Sequence, residues 1–121
     1  MAAGLTEIVI DCNDPERIAT FWCDVLGWPL QRTERGELWT SATGGYDARP
    51  FIVFEPVDEG KTVKNRVHLD VSPAGADQAD ELERLLGLGA TRVDVGQGDV
   101  PWIVLADPEG NEFCLLRRRI D

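Results

Sequence analysis

The chain has 121 residues, 43% of them hydrophobic and 28% charged, an ordinary balance for a globular protein that can bury a core without disulfides or a structural metal. Its formal net charge of −10 argues against a nucleic-acid partner, because phosphate binding needs a basic stripe. No apolar run approaches the roughly 20 residues of a membrane span, and three cysteines without paired metal-site spacing predict free thiols in a reducing cytoplasm.

Leu5 to Asp11 is rich in Ile and Val and predicts a mostly buried strand. Asp14 suits an N-cap, Pro15 the first helical position and Glu16 the positive end of a helix dipole. Ile18, Phe21, Trp22, Val25 and Leu26 recur on one face of the helix that follows, and Gly27 with Pro29 ends it. Short strands are expected at Trp28–Thr33, Glu37–Ala42 and Pro50–Pro56, the first two joined through an Arg35-Gly36 turn. The polar stretch Asp58–Asn65 has no apolar period and reads as a linker.

Beyond it, Arg66–Val71 predicts a strand, and Asp77–Leu88 a helix with Ala79, Leu82, Leu85 and Leu86 on one face. Thr91–Val95 and Val100–Ala106 read as strands around a Gly96-Gln97-Gly98 turn. Asp107-Pro108-Glu109-Gly110-Asn111 is a dense turn signal ahead of a last strand, Glu112–Arg117. Each half is therefore strand–helix–strand–strand–strand: residues 5–56, a linker 57–65, then residues 66–120. Glu7 in the first copy corresponds to His68 in the second, and Gly27 to Gly89, offsets of about half the chain.

Asp14-Pro15-Glu16, Phe21-Trp22, Val25-Leu26-Gly27, Asn65 to Asp70 and above all Asp107-Pro108-Glu109-Gly110-Asn111-Glu112-Phe113 carry a resemblance to the vicinal-oxygen-chelate superfamily. That superfamily contains glyoxalase I, bleomycin-resistance proteins and extradiol dioxygenases, and the chain looks most like its small single-domain glyoxalase-like members. The resemblance implies one α+β domain over residues 1–121, with two pseudo-symmetric βαβββ modules forming a curved mixed sheet around a cleft. It also implies a homodimer. In metal-dependent members the first and fourth strands of each module supply the ligands. Those positions fall on Glu7 and His68, then on Cys114 where Glu is usual, and near Val53, with Glu55 two residues out of register.

His68 is the only histidine, and strand alternation places it on one face with Arg66 and Asp70. A hydrogen-bonded structural histidine beside Asp70 competes with a cleft histidine fit for acid–base work. Glu7 interrupts an Ile/Val strand and needs water or a partner. Trp22 belongs to the core, whereas Trp39 and Trp102, in equivalent third strands, suit the walls of a pocket for an apolar or planar ligand. Cys114, between Phe113 and Leu115, reads as an inert buried thiol. The expected ligand-binding set is thus Glu7, Trp39, His68, Asp70 and Trp102, with no catalytic residue assigned. The expected function is binding of an apolar or planar metabolite or antibiotic without the full metal site of the family. The alternative is a divalent-metal lyase, isomerase or dioxygenase using Glu7 and His68.

Overall fold

The computed structural model describes all residues from Met1 to Asp121. The chain divides into two compact units, Met1–Gly60 and Lys61–Asp121. No helix is long and apolar enough to cross a membrane.

In the first unit the order is β1 (Glu7–Cys12), α1 (Pro15–Leu26), β2 (Leu30–Arg32), β3 (Leu38–Thr40) and β4 (Phe51–Pro56). The sheet runs β1-β4-β3-β2, with β1 parallel to β4 and the remaining pairs antiparallel. Helix α1 starts where the sequence dictates. The Asp14 side chain accepts the Arg17 N–H, and Gly27 closes the helix in the left-handed region at φ 68°. Its apolar stripe packs on β2, β3 and β4, burying Ile18, Phe21 and Trp22 with Leu38, Ile52 and Phe54. Thr40 is buried on that same face, where its hydroxyl donates to the Pro29 carbonyl at 2.7 Å. Alternation turns Glu7, Val9, Asp11, Trp39 and Val53 to the other face of the sheet.

The second unit repeats the order: β5 (Asp70–Val71), α2 (Gln78–Leu88), β6 (Thr91–Arg92), β7 (Ile103–Ala106) and β8 (Glu112–Leu115). Its sheet runs β5-β8-β7-β6, with β5 parallel to β8. The βαβββ pattern is thus present twice, as two four-stranded mixed sheets and two helices. The registers match as well, since Val9 pairs with Val53 as Asp70 pairs with Cys114.

Several elements are shorter than expected, each for a local reason. The strand expected at Arg66–Val71 contracts to Asp70–Val71. With Asp70 opposite Cys114, continuing the ladder backwards would set Arg66 against Gly110, which lies in the turn and offers no strand partner. Val67 is accordingly exposed. The strand at Val100–Ala106 begins only at Ile103, because Pro101 brings no N–H to a ladder, so Trp102 sits one residue ahead of β7. The strand at Thr91–Val95 stops at Arg92, and the Gln97 and Asp94 side chains take up the N–H groups of Val95 and Gly96. In α2 the expected stripe is only partly covered: Leu85 is buried but Ala79 is exposed. Glu81 is buried instead, its carboxylate gripped by the Arg84 guanidinium at 2.7 and 2.8 Å.

The stretch read as a linker is held at both ends. Asn13 donates its side-chain amide to the carbonyls of Val57 and Glu59. Beyond Gly60, the Glu112 carboxylate accepts the Asn65 N–H at 3.0 Å and ion-pairs with Lys61 at 2.9 Å.

Candidate functional site

On the second sheet, β8 alternates Phe113 and Leu115 to one face, and Glu112 and Cys114 with the following Leu116 to the other. Cross-strand register brings Asp70 and Val104 alongside Cys114 on that latter face. The ladder is closed by the Cys114 N–H bonding the Leu69 carbonyl at 3.0 Å and the Leu116 N–H bonding the Val71 carbonyl at 2.8 Å. Two residues before Asp70, His68 falls on the same side. These side chains line a cleft of about 480 Å³, with Trp102, Val95, Val104 and Leu116 as its apolar wall.

The polar side of the cleft is built around His68. Its Nε2 lies 3.2 Å from Asp70 Oδ1, and both side chains are a little under half exposed. The Cys114 thiol is buried beside them, and one donor atom from each of His68, Asp70 and Cys114 lies within 4.8 Å of the other two. Burial pushes the Cys114 thiol up from its ordinary pKa, and the neighbouring Asp70 carboxylate adds to this against a smaller pull from Lys64. A protonated, buried sulfur is no nucleophile. Glu112 behaves oppositely. Burial alone would raise its carboxyl, but the Asn65 N–H and the Lys61 ammonium outweigh that and hold it below the usual range.

Of the residues expected in a ligand site, His68, Asp70 and Trp102 line this one cleft. Glu7 and Trp39 lie on the helix-free face of the first sheet. There the Trp39 ring stacks on Tyr46 with centroids 4.8 Å apart, and Phe51, the register partner of Glu7, meets both rings edge-on. Sequence reasoning did not place Lys64, Gln97 or Glu112 in the cleft, and it reached Cys114 only as the fourth-strand position that the family resemblance implies. The period-two alternation from Glu112 to Leu116 carried the signal for three of the cleft's lining residues, but it does not say which face is open.

The metal positions implied by the family resemblance can be tested against these side chains. Val53 is a hydrocarbon with no lone pair. Glu55 lies two residues away, paired in register with Asp11 at the exposed end of the first sheet. Cys114 places a soft, buried sulfur where a hard carboxylate would be required. This donor set does not fit an oxygen-rich divalent site.

Comparison with known proteins supports the architecture. No curated protein matches the chain. Among solved structures, the fosfomycin resistance protein FosX from Mesorhizobium loti superposes with a TM-score of 0.68 at 17% identity, over 99% of this chain and 95% of that one. A glyoxalase/bleomycin resistance protein/dioxygenase family enzyme from Burkholderia phytofirmans PsJN superposes with a TM-score of 0.63 at 20% identity, over 93% of this chain and 97% of that one. A FosX mutant from Listeria monocytogenes, complexed with Mn(II) and 1S,2S-dihydroxypropylphosphonic acid, gives 0.65 at 17% identity, over 96% and 90% of the two chains. At these identities the likeness is one of fold. The family described as glyoxalase-like domain matches residues 7–116, and with its two βαβββ units the chain belongs to that family, within the vicinal-oxygen-chelate superfamily.

Proposed function

We propose that the protein binds a small molecule with a planar or apolar body in the cleft of its second unit, stacking the ligand on Trp102 and orienting a polar substituent with His68 and Lys64. The observation that carries this reading is the composition of the cleft, an apolar wall facing a His–Asp pair. Its volume of about 480 Å³ lies in the range of small-molecule sites. The indole supplies a flat contact surface. Asp70 Oδ1 stands 3.2 Å from His68 Nε2, close enough to steady the ring at the edge of the cleft. Antibiotics and metabolites both fall within this ligand class, and the missing fourth-strand carboxylate favours binding over the metal-dependent chemistry found elsewhere in the superfamily.

The test is a thermal-shift screen of planar metabolites and antibiotics, run in chelator on wild type, Trp102→Ala and His68→Ala. A ligand that stabilises wild type and loses most of that stabilisation in both variants supports the reading. Equal stabilisation of all three proteins overturns it. The homodimer expected from the sequence belongs to the same proposal, and a purely monomeric species in sedimentation at micromolar concentration would refute it.

A further inference from the structure

We propose that the first unit carries a second small-molecule site, a recess at the hairpin end of its sheet that takes a free α-amino acid with an apolar side chain. The site shares no residue with the cleft of the second unit and involves no metal, so it does not rest on the ligand proposed above.

The recess has a volume of about 340 Å³, at the small end of the range for small-molecule sites. Pro15 at the start of α1, the buried Leu38 of β3 and the buried Phe54 of β4 give it an apolar base. Arg35 in the β2–β3 turn, Glu37 just ahead of β3 and Glu55 near the end of β4 supply its charges. Local bonding fixes where these side chains start. The Gly36 N–H donates to the Thr33 carbonyl and the Thr33 N–H to the Glu37 carbonyl, both at 2.9 Å. The Glu37 N–H donates to the Thr33 hydroxyl at 3.0 Å, and Gly36 allows this tight turn by taking φ 87°. Carrying the β3–β4 register one residue beyond Leu38 and Phe54 sets Glu37 opposite Glu55. The nearby cation Arg32 is taken up by both carboxylate oxygens of Glu16 at 2.6 and 2.9 Å, which also ties the hairpin to the first turn of α1.

The distribution of charge carries the assignment. Like charges facing each other across a strand pair repel, and neither Glu37 nor Glu55 has a cation beside it. Arg35 lines the same recess yet forms no ion pair with either. A guanidinium and two carboxylates therefore stand beyond ion-pair distance over an apolar base. A free α-amino acid matches all three features. Its ammonium meets Glu37 and Glu55, its carboxylate meets the Arg35 fork, which suits bidentate contact, and its side chain covers Leu38, Phe54 and Pro15. Asp11, paired with Glu55 on the far side, reinforces the preference for an ammonium there.

The experiment is calorimetric titration of the full chain with leucine and with phenylalanine. It is repeated with N-acetyl-leucine, which lacks the ammonium, and with leucinamide, which lacks the carboxylate. We expect saturable binding of both amino acids, weaker by about tenfold or more for each derivative, because each loses a charge-assisted contact. Arg35→Ala and the double variant Glu37→Gln with Glu55→Gln should weaken leucine to a similar degree. All three side chains are exposed, and circular dichroism checks that the variants fold; the derivative series needs no substitution and decides the matter if one does not. Trp102→Ala should bind leucine as wild type does, which separates this site from the cleft. The proposal is overturned by absence of amino-acid binding at about 10 mM, by derivatives that bind as tightly as leucine, by binding that survives Arg35→Ala unweakened, or by binding lost in Trp102→Ala. Because the ligand screen above is read through Trp102 and His68, its failure and the failure of this site are distinguished.

Discussion

Replacing Glu112 by alanine tests how the second unit holds the segment that leads to His68. In the folded chain one carboxylate serves two donors, the Asn65 N–H at 3.0 Å and the Lys61 ammonium at 2.9 Å. The side chains of Lys61 and Glu112 are only 18% and 15% exposed. Removing one partner of a fully buried pair costs about 3–5 kcal/mol, because the other charge is left desolvated and unpaired. Water still reaches part of this pair, so we expect about 2–3 kcal/mol for Glu112→Ala. That loss would lower the urea midpoint by about 1–2 M at ordinary slopes. Glu112→Gln keeps an acceptor for Asn65 but not the charge, and should fall between wild type and alanine. Replacing both residues, as Lys61→Met with Glu112→Leu, should cost less than Glu112→Ala alone.

Acidity gives an independent check on the same pair. The folded state favours the carboxylate, since the Glu112 pKa is lowered. Its contribution is therefore fully present above the ordinary carboxylate range, and it is lost as pH falls through that range and then through the lower folded value. Wild type should lose more stability than Glu112→Gln over that acidic window, and the two urea curves should converge. A loss below about 0.5 kcal/mol for Glu112→Ala at neutral pH, the value of an exposed pair, would refute the reasoning, as would parallel pH profiles.

Asp107 is buried and accepts from the Glu109 and Asn111 N–H groups and the Asn111 amide, so Asp107→Ala should cost about 2–3 kcal/mol in chemical denaturation by orphaning those donors. Gly44→Ala should destabilise more than Gly27→Ala. Both backbones have positive φ, but a Cβ at Gly44 would meet Gln31 and Pro29 at 2.8 Å, whereas one at Gly27 meets nothing. Comparing their melting temperatures isolates the steric part from the left-handed strain of about 1–2 kcal/mol that both share. Trp102→Ala should cost about 1–2 kcal/mol, less than truncating a fully buried tryptophan, because the residue is 39% exposed; quenching of Trp102 fluorescence by a bound ligand should disappear with it.

The elements whose signals act over a few residues were legible in the chain itself. Asp14, Pro15 and Gly27 bound α1, Asp77 and Gly89 bound α2, and the Asp107–Asn111 turn launches β8, all through caps and turn chemistry that need no distant partner. The doubling of the βαβββ pattern was visible for the same reason, since the local signals recur in both halves. Period-two alternation also placed His68 and Asp70 on one side. Cross-strand register decided the rest. Nothing near Cys114 in the sequence indicates that Asp70 will lie beside it, that the open face will be the one carrying both, or that Glu112 will reach back to Lys61 and Asn65. The loss of Arg66 and Val67 from β5 has the same origin, because in this register they would face Gly110 and Asn111 in the turn ahead of β8. Caps and turns are settled within one or two turns of backbone. The chemistry of this cleft arises from side chains of β5 and β8 that are far apart in sequence and meet only once the sheet has chosen its pairing.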